Sequence, residues 1–232
     1  MNSNTHMCID VMQANRVKFL TAIGHPLCYQ KTAYLESNKA EEIYLSLDII
    51  LRCYNSGGYK VSNITCDNSF RAIFEEVSNS LDVTMEYTNP QDHKPHIKRN
   101  NRTIKNQVRT GLHRTTHKTI LQVMIKHLVI ASTEKFNLFP AKYGISEYYS
   151  PETLVTRKVL DFEKHCQCEF GDYVQANECT DPRNDMRTRC IDGMHLCPAE
   201  NGTGHYSMDL QTGRDSSKPY GQFQYLRLQW NA

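Results

Sequence analysis

Met7-Cys8-Ile9-Asp10-Val11-Met12-Gln13-Ala14-Asn15-Arg16-Val17-Lys18-Phe19-Leu20-Thr21-Ala22-Ile23 is the stretch on which the fold turns. Met7 to Gln13 alternates weakly between apolar and polar, and Val17 to Ile23 is β-branched and aromatic. Asn15-Arg16 between them reads as a hairpin turn, so the chain opens with two paired strands. A third strand is predicted from Leu27 to Leu35. Beyond it the period changes: Tyr44, Leu47, Leu51 and Tyr54 recur at three- and four-residue steps, the apolar face of a helix that Gly57-Gly58 would stop. Tyr59 to Cys66 then reads as a strand ending at Asp67, Phe70, Ile73, Phe74 and Val77 as a short helix, and Val83 to Tyr87 as a fifth strand. Three consecutive strands followed by alternating helix and strand predict an α/β unit, a mixed five-stranded sheet with flanking helices.

Toward the carboxyl end, Thr88 to His96 is polar and holds Pro90 and Pro95, which predicts a loop. Pro95 suits the first turn of the next helix, where a missing N–H costs nothing. That helix, about Ile97 to Gly111, sets Lys98, Arg102, Lys105 and Arg109 on one stripe at steps of four, three and four. A more apolar helix follows from about Thr119 to Phe136, closed by Pro140. Past Pro151 the composition shifts to short segments punctuated by Gly, Pro, Asn and Asp: Gly171 to Ala176, Arg189 to Cys197 and Gly204 to Leu210. The expected division is a core over residues 1–149, a linker over 150–164 and a small β-rich, barrel-like unit over 165–232 with a loose tail.

The 232 residues suffice for a hydrophobic core, and 39% hydrophobic with 22% charged residues excludes disorder throughout. The richest apolar run, Ile120 to Ala131, is broken by Lys126 and His127 and falls short of the roughly 18 residues of a membrane span. Met1 to Asp10 has neither a basic nor an apolar leader region, so an intracellular protein with reduced thiols is expected, in keeping with the odd count of nine cysteines. The overall balance of 27 basic against 25 acidic residues conceals a local one. From Asp92 to Lys118 eight basic residues, Lys94, Lys98, Arg99, Arg102, Lys105, Arg109, Arg114 and Lys118, face one acid.

Two passages carry a resemblance. Ile9-Asp10-Val11-Met12, Asn15, Phe19-Leu20-Thr21 and, downstream, Cys66-Asp67-Asn68-Ser69-Phe70 resemble the two aspartate-bearing strands of an RNase H-like DDE integrase core. His93-Lys94-Pro95-His96-Ile97-Lys98-Arg99-Asn100-Asn101-Arg102-Thr103-Ile104-Lys105 resembles the Pro-x-x-Glu-Arg-x-Asn-Arg-Thr-x-Lys helix of copia-type retrotransposon integrases. Asn137-Leu138-Phe139-Pro140, Gly144-Ile145-Ser146, Ser150-Pro151, Leu160-Asp161 and Phe170-Gly171-Asp172-Tyr173-Val174-Gln175 extend the match over most of residues 7 to 215. The resemblance implies a piece of a longer element, acting in a cytoplasmic particle and the nucleus, with DNA (element ends and host target) as partner, further copies of the chain as possible partners, and no membrane.

It also implies metal-dependent polynucleotidyl transfer, in which Mg²⁺ or Mn²⁺ is held by two aspartates and a glutamate. Asp10 and Asp67 fill the first two places, as catalytic and metal-binding residues; the glutamate place is taken by Lys98. An ammonium has the wrong sign and no lone pair for a cation, so metal binding should be weakened and strand transfer impaired. Asp92, Glu75 and Glu76 are the acids nearest in sequence to a rescue. Lys94, Arg99, Arg102, Lys105 and Arg109 are the expected nucleic-acid contacts, since clustered Lys and Arg attract phosphate whatever the base sequence. Two other readings stay open: a non-catalytic nucleic-acid-binding or structural remnant of a decayed element, and an unrelated zinc module using His165, Cys166, Cys168, Cys179, Cys190, His195 and Cys197. These seven lack the close Cys-x-x-Cys spacing of structural zinc sites, and core packing of the cysteines is the simpler expectation.

Overall fold

The computed structural model describes residues 4–73, 77, 80–81, 83–87, 95–115, 120–162, 166, 168–177, 190–199, 204–214 and 223–224. They fall into two compact units, 1–110 with 132–160, and 111–131 with 161–232.

The first unit is built on β1 (Thr5–Ala14) and β2 (Val17–His25), antiparallel with Asp10 opposite Thr21. Asn15 and Arg16 both take positive φ, 45° and 67°, the geometry whose twist matches that of the strands it joins. β3 (Gln30–Leu35) adds antiparallel to β2, while β4 (Val61–Cys66) and β5 (Thr84–Tyr87) add parallel on the other side, giving the order β3-β2-β1-β4-β5. This is the mixed five-stranded sheet with flanking helices that the sequence predicts. The third strand begins later than the sequence predicts. A turn at Pro26 and Leu27 precedes it, closed where Cys28 takes φ 59° and its N–H bonds to the Gly24 carbonyl.

Strand alternation divides the sheet into two different faces. Met7, Ile9, Leu20, Ala22 and Ile64 point to one side and pack with Ile43, Leu47, Ile50, Leu51 and Tyr54 of α1 (Ala40–Ser56) in the principal core. Tyr54 lies so close to β2 that a Cβ on Gly24 would sit 2.6 Å from its ring, and its hydroxyl donates to the Tyr29 carbonyl at 2.5 Å. Cys8 and Ile23 point to the other side and meet Ile97 of α2 (Pro95–Arg114).

After β4 the expected short helical stretch opens with a 3₁₀ turn over Asn68–Ile73, and Val77, Ser80 and Leu81 beyond it are α-helical; Phe70, Ile73 and Val77 lie in the principal core. α3 (Gln122–Asn137) ends with the Asn137 side chain clamped to Gln30: Nδ2 donates to the Gln30 carbonyl at 2.7 Å and Oδ1 accepts from its N–H at 2.8 Å. Residues 151–156, expected as linker, instead form α4 (Pro151–Thr156). Ser150 caps its N-terminus through the Thr153 N–H, and Val155 joins the core, because a capped turn with one apolar side can bury it against α1.

The second unit contains an antiparallel sheet in the order β8-β7-β6-β9: β6 (Tyr173–Asn177), β7 (Cys190–Pro198), β8 (His205–Asp209) and the two-residue β9 (Phe223–Gln224). It is not built from strands alone, since Met124 of α3 packs with Met194, Leu196 and Met208. Cys166 lies exposed in a turn and Cys168 is buried in irregular backbone, so of these two only the second has the core packing expected of the cysteines.

Candidate active site

Parallel register brings the two aspartates together. β1 and β4 pair Met7 with Ile64 and Cys8 with Thr65; two residues further stand Asp10, on β1, and Asp67, just past the end of β4. Even-numbered residues of β1 point toward α2, so Asp10 faces that helix. There Asn101 Nδ2 donates to Asp10 Oδ2 at 2.8 Å, and Thr21 Oγ1 lies 2.8 Å from Asn101 Oδ1. An ionised carboxylate only accepts, which turns the amide NH₂ toward Asp10 and its oxygen toward the Thr21 hydroxyl, itself also 3.1 Å from the Asp10 carbonyl oxygen. Asp67 is exposed just beyond β4, where its Oδ1 accepts from the Ser69 N–H at 2.9 Å and from the Ser69 hydroxyl. It therefore also serves the local purpose common to strand-end aspartates, nucleating the turn that follows.

Lys98 stands one helical turn before Asn101 and is exposed. Burial pushes the Asp10 carboxyl above the ordinary aspartate range and the charge of Asp67 pushes the same way; the Val11 N–H, the Lys98 ammonium and the Asn101 amide pull it back. Asp10, Asp67 and Lys98, expected at one locus, thus act on one carboxylate.

A divalent ion needs several oxygen ligands. Two carboxylates are present, each with one oxygen already accepting a hydrogen bond, and the charge nearest them on α2 is positive. Among the described residues no group of three or more His, Cys, Asp or Glu could hold a metal ion. The set does not fit a tightly held Mg²⁺ or Mn²⁺. Asp92, Glu75 and Glu76 lie outside the described residues, as does Lys94. No such metal-holding group forms among Cys166, Cys168, Cys190, His195 and Cys197 either, while His165 and Cys179 lie outside the described residues. His195 instead donates from Nδ1 to the Glu169 carbonyl at 3.0 Å and meets His205 through Nε2 at 3.0 Å; Cys197 Sγ is 3.4 Å from His127 Nδ1.

On α2, Ile97, Asn100, Asn101, Ile104 and Val108 are buried, whereas Arg99, Arg102 and Arg109 are exposed and Lys105 is half-buried. One face of the helix is anchored and the other is cationic. Asn101 and Thr21 are the site residues that sequence reasoning left without a role. Both stand inside the matched passages, and the available signal was spacing: Asn101 is three residues after Lys98, and Thr21 sits where a hairpin closed at Asn15-Arg16 pairs it with Asp10. At the far end of the same face, His25 lies opposite His6, and its ring centroid is 5.5 Å from that of His96. Burial and these two imidazoles hold the His25 pKa below its usual value.

No family model matches the chain, and no curated protein matches it in sequence. Among solved structures it is similar to the catalytic core domain of BIV integrase in crystal form I, with 16% identity and a TM-score of 0.48 over 66% of this chain and 93% of that one.

Proposed function

We propose that the chain is a DNA-binding, integrase-like recombination core of the copia retrotransposon type, followed by a smaller β-rich unit, in which metal-dependent strand transfer is impaired by Lys98. The observation that supports this reading is the shared locus of Asp10 and Asp67, brought abreast by parallel register and facing a helix that offers a cation where the resemblance calls for a carboxylate. Arg99, Arg102, Lys105 and Arg109, with Lys94, hold the phosphate backbone of element ends or host target, and this attraction does not depend on the metal. Self-association and a path from cytoplasmic particle to nucleus belong to the same reading.

Calorimetric titration with Mn²⁺, on this chain and on Lys98→Glu, tests it. The expected result is binding by the Glu variant only, abolished by a second change of Asp10 or Asp67 to Asn. Equal binding by both would show that another carboxylate completes the site and that Lys98 is no lesion. Binding by neither would favour the non-catalytic remnant, a reading that the absence of a third ligand among the described residues also supports. Arg102→Gln with Lys105→Gln and Arg109→Gln should weaken duplex DNA binding and lower its salt slope by about 3.

A further inference from the structure

Five large apolar side chains stand exposed within residues 139–149: Phe139, Tyr143, Ile145, Tyr148 and Tyr149, at 57%, 82%, 47%, 87% and 58%. Four of the five are aromatic rings. Isolated exposed apolar residues are normal, but such a concentration on one loop marks a surface that meets something.

The loop that presents them has a defined shape. Asn137, at its start, is clamped to Gln30 by two hydrogen bonds. The Gly144 N–H donates to the Ala141 carbonyl, and the Cys28 thiol is 3.9 Å from the Tyr143 carbonyl oxygen. Ser146 Oγ accepts from the N–H groups of both Tyr148 and Tyr149, at 3.1 and 2.9 Å. Ser150 then starts α4 as its cap. The rings are thus displayed by a backbone tied down at start, middle and end.

Charge favours one class of partner. Lys142 and Glu147 stand exposed within the loop; exposed Lys135 precedes it in sequence and exposed Arg157 and Lys158 follow it, with Glu134 and Glu152 half-buried. Lys142 Nζ lies 5.5 Å from the centre of the Tyr143 ring. Aromatic faces interleaved with cations are the surface on which unpaired bases stack while the strand's phosphates are neutralised. Protein interfaces are also rich in tyrosine but depleted of lysine, whereas here Lys142 stands against the Tyr143 ring.

We propose that the 139–149 loop is a stacking platform for single-stranded DNA, distinct from the cationic face of α2. This deepens the reading of the chain as a DNA-binding core and rests on it. The test is fluorescence anisotropy of a labelled oligothymidylate of about 16 nucleotides on the full chain. Tyr148→Ala and Tyr143→Ala should each weaken binding about tenfold, and Tyr148→Trp should retain it. Neither change should affect duplex DNA, whose bases are already stacked. Tyr148→Ala should leave the salt slope unchanged, whereas Lys142→Ala should lower it by about 0.7.

Unchanged oligothymidylate affinity in the tyrosine variants, with loss in the α2 triple variant, would overturn the platform and leave the α2 reading standing. Tyrosine variants that abolish self-association in sedimentation, with DNA binding intact, would overturn it in favour of a contact between copies. Failure of the unmodified chain to bind either DNA form would remove both readings together.

Discussion

The two faces of the five-stranded sheet are made by alternate residues of the same strands, yet they are chemically unlike. Toward α1, Met7, Ile9, Leu20, Ala22 and Ile64 meet aliphatic and aromatic side chains, and the hydroxyl of Tyr54 finds a carbonyl. Toward α2 stand Asp10, Thr21 and Asn101, joined by hydrogen bonds, with His25 and His96 further along and Cys8, Ile23 and Ile97 as a small apolar anchor between. Burial on the first face is satisfied by dispersion and needs no partner chemistry. On the second, Asp10, Asn101 and Thr21 match one another, whereas His25 Nε2 and Asn100 Nδ2 are buried with no hydrogen-bond partner among the described residues, which costs stability. One face holds the sheet together, and the other gives up stability to hold polar and ionisable groups.

Leu47→Ala should break the first face hardest, because the side chain is fully buried among core neighbours. A loss of about 2–5 kcal/mol is expected, measured by denaturant unfolding. Gly24→Ala should cost less, about 1–3 kcal/mol, since a methyl group there meets the ring of the buried Tyr54. A thermal melt no lower than that of the unmodified chain would show that Tyr54 has room to move.

The second face should answer to pH. The folded pKa of His25 is depressed, so its contribution to stability is complete above its ordinary value of 6.5 and is lost as pH falls through the lower folded value. Melting between pH 7 and 5 should therefore slope downward toward acid, and His25→Leu should flatten the slope. Asp10 has the opposite sign. Its folded pKa is raised, so the protonated form suits the fold: the group stabilises below the ordinary value of 3.8 and ceases to do so as pH rises through the folded value. Asp10→Asn should make the protein modestly more stable at pH 7, with the gain vanishing below pH 3.8. A variant less stable than the parent at pH 7 would show that the ionised carboxylate is wanted, and would sharpen the case for a cation there.

Much of this architecture was legible in sequence because it depends on local period and punctuation. Asn15-Arg16 set the hairpin, Tyr44 to Tyr54 declared the inward stripe of α1, and Pro95 marked the start of α2. Other parts depended on partners distant in the chain. Leu27 to Tyr29 read as strand because their side chains suit one, but the close packing of Tyr54 on Gly24 and the bond from Tyr54 to the Tyr29 carbonyl accompany a turn at Pro26 and Leu27 instead. Residues 151–156 read as linker because six residues give too short a period to register; capping by Ser150 and burial of Val155 make them a helix.

The site divides in the same way. Sequence by itself determined which residues could do chemistry: two strand-end aspartates, a lysine where the resemblance calls for a carboxylate, and a cationic stripe at helical spacing. Tertiary structure alone decided that Asp10 and Asp67 stand abreast, through the register of two strands more than fifty residues apart. It also decided that Asn101, a residue of no evident purpose in the chain, orients one of them and that Lys98 bears on its charge. The reason is physical: spacing along a helix or strand is fixed by backbone geometry, whereas register between distant strands and the electrostatics of a shared site exist only once the chain has folded.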